Sequence, residues 1–82
     1  MHATWDSENR ILNVVGRHKP YQQRYWTVSL RLQNNDASET MLFRTNKPVT
    51  ITDLEKVIGA HMDEFEAEHG LVTKASWTAH AR

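Results

Sequence analysis

The sequence contains no cysteine, which excludes disulfide bonds, thiol catalysis and zinc sites built on cysteine ligands. Cysteine-free chains suit a reducing compartment, so we expect the protein to be cytoplasmic. No run approaches the roughly 18 apolar residues that a membrane-spanning helix needs, and residues 1–6 lack the pattern of a signal peptide. The sequence therefore predicts a soluble protein that does not engage a membrane.

Length and composition predict one small folded domain. The 82 residues allow a single core, so residues 1–82 are interpreted as one domain. Hydrophobic residues make up 39% of the chain and the formal net charge is zero, although the mean hydropathy is only −0.67. Enough apolar material is present for one thin core layer, and the balanced charge argues against disorder.

Alternating apolar and polar residues predict an antiparallel sheet of four strands. The clearest alternation, at period two, runs from Tyr25 to Gln33. A polar turn then leads to a second extended segment from Glu39 to Thr45, so these two segments predict a hairpin. The other predicted strands run from Arg10 to His18, which is rich in β-branched residues, and from Val72 to His80.

A helix is predicted between the third and fourth strands. Thr52 and Glu55 have the spacing of a capping box, and Gly70 is placed to end the helix with Leu71 folded back on Phe65. An apolar stripe of helical period runs between them: Leu54, Val57, Ile58, His61, Met62 and Phe65. The predicted fold is α+β, with the helix packed on one face of the sheet. The opposite face, which carries Tyr25, Thr27, Ser29 and Arg31, is left open to water or to a partner.

The zero net charge conceals a division along the chain. Acidic residues are absent between Glu8 and Asp36, whereas the segment from Lys47 to Lys74 holds six acids against Lys56 alone. Carboxylates in the last two helical turns oppose the helix dipole and one another, so local stability does not explain them. These residues, with the neighbouring histidine, form a candidate docking surface for a basic partner: Asp63, Glu64, Glu66, Glu68 and His69. The alternative is a solvated face that keeps the protein soluble.

A basic arm over residues 17–31 supports a second hypothesis. Cations bind phosphates and planar rings stack on bases, and the arm interleaves both kinds of side chain. Its candidate nucleic-acid-binding residues are Arg17, Lys19, Tyr21, Arg24, Tyr25 and Arg31. Against this interpretation, a loop between strands is polar in most proteins, and the aromatic pair of an RNA-binding sheet motif is missing.

No motif of catalysis, metal binding or cofactor binding stands out. The three glycines are too few and too separated for a phosphate-binding loop or a nucleophile elbow. His61 lies near Glu64 and Glu68 but lacks a metal-ligand spacing, so we expect no metal and no cofactor. A metal-free ribonuclease or toxin could be assembled only from scattered groups: His18, Lys19, Tyr21, Arg24 and His80. The sequence therefore favours a protein that is not an enzyme.

Size, fold and charge together suggest a small interaction protein. The leading hypothesis is an inhibitor or modulator that docks its acidic helix face, or a sheet edge, on the basic surface of another protein. Mobile elements such as phages use small proteins of this kind against host nucleic-acid machinery, an analogy of function alone. A nucleic-acid-binding module using the basic arm is the alternative. A homodimer that joins arm to helix is a third hypothesis.

Overall fold

The computed structural model of the protein describes residues 1–16, 19 and 21–82. Within them the chain forms five strands and one helix, in the order β1 (His2–Asp6), β2 (Ile11–Val15), β3 (Trp26–Gln33), β4 (Ser38–Arg44), α1 (Ile51–His69) and β5 (Lys74–Ala81). The strands make one antiparallel sheet in the order β2-β1-β5-β3-β4. The predicted α+β class is confirmed.

The position of β5 in the sheet explains why a helix precedes it. β3 is antiparallel to both β4 and β5, so β4 and β5 run in the same direction on either side of β3. Two strands that run in the same direction need a crossover connection, usually a helix, rather than a tight turn. α1 makes this crossover and delivers β5 into the centre of the sheet, between the two hairpins.

The core lies between the helix and one face of the sheet. Alternate residues of β3 and β5 are buried there, as the sequence predicts, and no polar or charged residue of the described chain is fully buried. Trp77 is the largest of the fully buried side chains. The core comprises Ala3, Trp26, Val28, Leu30, Leu32, Val49, Ile51, Leu54, Ile58, Met62, Phe65, Val72, Ala75, Trp77 and Ala79.

The sequence-based strand prediction is wrong at the amino-terminal end. β1 was not predicted: it is five residues long, and its buried side is short, with Ala3 fully buried and Trp5 partly buried against the core. Ala3 pairs with Trp77 in the sheet, so a small residue there leaves room for the indole. The strand predicted from Arg10 to His18 is shorter: β2 begins at Ile11 and ends at Val15, and residues 17 and 18 lie outside the described part of the chain.

The cap of the helix lies two residues before the predicted one. Thr50 is the N-cap residue, and its Oγ1 accepts a hydrogen bond from the backbone N–H of Asp53 over 3.2 Å. The capping box predicted at Thr52 and Glu55 is therefore wrong. Val49 precedes the cap and is buried in the same core as Leu54, the arrangement of a hydrophobic staple that fixes where the chain enters a helix.

Two apolar residues near the helix differ from prediction. Val57 is 40% exposed and Leu71 is 69% exposed, so neither belongs to the core. Ile51 and Val72, which were not predicted to be core residues, are buried instead. Gly70 does end the helix, at φ 92°, and its N–H donates to the carbonyl oxygen of Glu66.

Candidate functional site

The acidic residues of the helix divide between two flanks. Successive residues of an α-helix turn by about 100°, so Glu64 and Glu68 lie close together on the surface whereas Glu66 points to the far side. The contacts agree: Glu64 lies beside His61, which touches Phe43 of β4, while Glu66 meets the turn between β1 and β2. The predicted acidic docking surface is therefore not continuous.

Glu66 is held by contacts within the protein. Its Oε1 accepts a hydrogen bond from Nη2 of Arg10 over 2.8 Å, and its Oε2 accepts one from the backbone N–H of Val72 over 3.0 Å. Only 12% of the side chain is exposed. Burial raises the pKa of Glu66. The hydrogen bonds from Arg10 and Val72 and the charge of Arg10 together lower it by more, so the pKa lies below the ordinary value. Glu66 therefore differs from the other predicted docking residues, because its carboxylate is already bound within the protein.

Glu64 and Glu68 have the opposite character. Their side chains are 79% and 77% exposed, and Asp63 next to Glu64 is also exposed. Among the described residues, the basic side chains within 4 Å of these carboxylates are histidines: Nδ1 of His61 lies 3.8 Å from Glu64 and Nε2 of His69 lies 3.8 Å from Glu68. We call Asp63, Glu64 and Glu68 the acidic face.

His69 is more a structural residue than a free binding group. Its ring centroid lies 4.9 Å from that of Phe65, which belongs to the core. Its backbone carbonyl oxygen accepts a hydrogen bond of 2.7 Å from the side-chain amide of Asn34, in the turn between β3 and β4. His69 therefore borders the acidic face and ties the end of the helix to the sheet.

The described residues of the predicted basic arm lie in more than one place. Arg17 lies outside the described residues, and Tyr21 is 92% exposed. Lys19 and Arg24 line a cleft at one end of the sheet. Arg31 lies six residues beyond Tyr25, about 20 Å along an extended strand. Among the described residues of the arm, Lys19 and Arg24 therefore lie at the cleft, and Arg31 lies apart from them on the sheet.

The cleft is lined by both basic and apolar residues. Its volume is about 520 Å³, and its basic lining residues are Lys19, Arg24 and His80. Met1 and Ile51 are among the apolar residues that line it, and none of the described lining residues is acidic. The cleft has the size and the charge to receive an anionic group attached to a small apolar body.

The face of the sheet away from the helix carries cations that sequence reasoning missed. Arg44 and Lys74 are separated from the basic arm in sequence, so no local pattern joins them to Arg31. The strand pairing places all three on the same face, because residues directly opposite each other in neighbouring strands point to the same side. We call this uncovered surface the sheet face.

The described residues show neither a metal site nor a membrane-spanning helix. The described residues include no group of three histidine, aspartate or glutamate side chains arranged to hold a metal ion. The one helix they form is not apolar enough over a sufficient length to cross a membrane. Comparisons with protein-family models, with curated proteins and with solved structures found no match to this chain.

Proposed function

We propose that this protein is a small non-enzymatic interaction protein, an inhibitor or modulator that docks its acidic face on a basic surface of another protein. The observation that carries the proposal is the exposure of Glu64 and Glu68, each more than three-quarters exposed, in the last turns of a helix whose dipole opposes them. Two like charges at this spacing destabilise a helix by a few tenths of a kcal/mol. A binding role explains why two side chains that destabilise the helix are present.

The geometry suits a protein surface more than a small ligand. Glu64 and Glu68 are one helical turn apart and Asp63 adjoins them, so the acidic face is a ridge along the convex surface of the helix. Ridges of this kind bind in grooves, where complementary charge raises the association rate and selects the partner. The partner's groove is expected to be rich in arginine and lysine.

Affinity capture with charge variants tests the proposal. The tagged protein and its Glu64→Lys/Glu68→Lys variant are used to capture proteins from a nuclease-treated extract of the cells that carry its gene. We expect the parent to retain a basic protein that the variant does not retain. Purified partner and parent should then associate more slowly as salt rises, because screening shortens the range of the attraction.

A matched variant separates the acidic face from total charge. Asp36→Lys/Glu39→Lys changes the net charge equally, at two exposed residues near the turn between β3 and β4. It should retain the partner. Equal capture by both variants, or equal loss from both, contradicts docking through the acidic face.

The cleft favours one other candidate, cleavage of RNA phosphodiester bonds without a metal. Three of the five residues that such a reaction could use, Lys19, Arg24 and His80, line the same cavity. A histidine that moves a proton and cations that hold the phosphate are the groups this chemistry needs. Incubation with fluorescent single-stranded RNA tests it: cleavage that His80→Ala abolishes would replace the non-enzymatic proposal, and intact RNA dismisses the candidate.

A further inference from the structure

The cations of the sheet face come from three different strands. Arg31 lies on β3 opposite Thr40 of β4 and Ser76 of β5, and Lys74 lies opposite Gln33. Arg31 and Lys74 are therefore diagonal neighbours, with α-carbons about 7–8 Å apart. Both side chains are exposed, and with Gln33 and Ser76 they border a shallow depression in the face.

A second group of cations lies at the other end of the same face. Arg44 is opposite Thr27, which is opposite His80. Arg82 follows β5 there, with its guanidinium 5.5 Å from the ring centroid of Tyr25 and a hydrogen bond of 2.7 Å to the carbonyl oxygen of Thr45. The contacts hold an arginine and a ring together, a pairing that offers both charge and a planar surface.

Acidic charge hardly opposes these cations. Among the described strand residues, Asp6 at the end of β1 is the acid that the strand alternation places on the sheet face. Its carboxylate is occupied by Asn9, whose side chain and backbone both donate hydrogen bonds to it. The two layers of the protein therefore differ in sign, with an acidic helix on one side and a basic sheet on the other.

The rest of the sheet face is rich in hydroxyl groups. Its central rows carry Thr4, Ser29, Ser76 and Thr78, whose side chains can donate to and accept from phosphates and bases. Leu42 adds an apolar surface that is 74% exposed, and Tyr25 is 42% exposed. Dispersed cations, hydroxyl groups and an exposed ring suit an extended polyanion that also has planar groups.

We propose that the sheet face binds single-stranded nucleic acid, with Arg31, Lys74, Arg44 and Arg82 on its phosphates and Tyr25 against a base. A single strand fits better than a duplex because the face is built from strands and has no helix to enter a groove, whereas exposed bases can lie on it. This binding uses the surface opposite the acidic face. It is independent of the protein docking proposed above.

Fluorescence anisotropy with labelled single-stranded DNA and RNA of about 20 nucleotides tests the proposal. Contacts from four cations to phosphates predict that the logarithm of affinity falls with the logarithm of salt concentration with a slope of about −2.8. Affinity should then fall about 50-fold between 50 and 200 mM salt. Removing one contact with Arg31→Gln or Lys74→Gln should reduce the slope by about 0.7.

Lys56→Gln is the matched control. Lys56 is exposed on the helix, so the substitution removes the same charge from the opposite side of the protein. It should leave the slope unchanged, and Glu64→Lys/Glu68→Lys should not weaken oligonucleotide binding, which separates this test from that of the acidic face. All variants should first show the melting temperature of the parent within a few degrees.

Four results would overturn the proposal. The first is no binding at 50 mM salt, and the second is the same salt slope for Arg31→Gln and Lys56→Gln. The third is competition by polyglutamate as strong as that by unlabelled oligonucleotide, which would assign the face to an acidic polypeptide. The fourth is a dimer, detected by sedimentation, that Arg31→Gln dissociates. Such a dimer would mean that a second copy of the protein covers the sheet face.

Discussion

Arg10 and Glu66 lie 56 positions apart in the chain, and Nη2 of Arg10 donates a hydrogen bond to Oε1 of Glu66 over 2.8 Å. The bond joins the turn between β1 and β2 to the end of the helix. Arg10 makes it from a left-handed backbone, at φ 53°, and its guanidinium also lies 5.3 Å from the ring centroid of Trp5. A non-glycine residue costs about 1–3 kcal/mol in this conformation, so the surrounding contacts must stabilise it.

Glu66→Lys should therefore destabilise the protein. The substitution removes the bond to Arg10, brings two cations together and leaves the backbone N–H of Val72 without its acceptor. We expect the free energy of unfolding to fall by about 2 kcal/mol, measured by urea denaturation monitored by tryptophan fluorescence. An unchanged midpoint would mean that the contact contributes nothing in solution.

Glu64→Lys and Glu68→Lys should have the opposite effect. Each replaces an exposed carboxylate near the negative end of the helix dipole with a cation, and each relieves the repulsion between the two glutamates. The free energy of unfolding should rise by a few tenths of a kcal/mol per substitution in the same urea titration. A loss of stability from either one would show that the acidic face contributes to folding, and would weaken its assignment to a partner.

The carboxylate of Glu66 should also make stability depend on pH in the acid range. Its pKa is lower in the folded protein than in the unfolded chain, so its contribution is complete above the ordinary glutamate value of about 4.3. The contribution is lost as pH falls through the folded value. Glu66→Gln should give a shallower loss of stability below about pH 4.5, measured by thermal melts across that range. Parallel curves for variant and parent would contradict this.

The sequence predicts those parts of the fold that depend on local pattern. The alternation in residues 25–33 reports the buried face of β3 directly, and the stripe that includes Leu54, Ile58 and Met62 reports the buried face of the helix. β1 alternates as well, with Ala3 buried and Trp5 packed against the core, but the pattern covers only five residues, and the place of β1 in the sheet is set by a partner 74 residues away: Ala3 pairs with Trp77. A contact at that separation leaves no signal in a single sequence.

The candidate surfaces likewise combine features that a local pattern predicts with features that depend on distant contacts. The exposure of Glu64 and Glu68 follows from helical periodicity, so it could be predicted. The engagement of Glu66 depends on a turn 56 residues away that brings Arg10 to the helix. The sheet face likewise joins Arg31 to Lys74 through strand pairing, and a charge count along the chain places these two in separate segments.

Two neighbouring threonines give a direct test of where the helix begins. Thr50→Ala removes the oxygen that accepts the N–H of Asp53 and should lower the free energy of unfolding by about 1 kcal/mol. Thr52 is exposed within the first turn, so Thr52→Ala should leave stability unchanged or raise it slightly. The comparison needs only thermal melts of the two variants. If Thr52→Ala is less stable than Thr50→Ala, the helix is capped by Thr52 instead.

Gly59→Ala should stabilise the protein. Gly59 lies in the middle of the helix, and a β-carbon built there meets no other atom within 4 Å, so neither the sheet nor a neighbouring element requires a glycine. Alanine loses less backbone entropy on folding, and the free energy of unfolding should rise by about 0.5–1 kcal/mol, seen as a higher urea midpoint at constant slope. A drop in stability at all protein concentrations would reveal a close contact at this position. A drop that appears only at high concentration would instead show that copies of the helix pack together through Gly59.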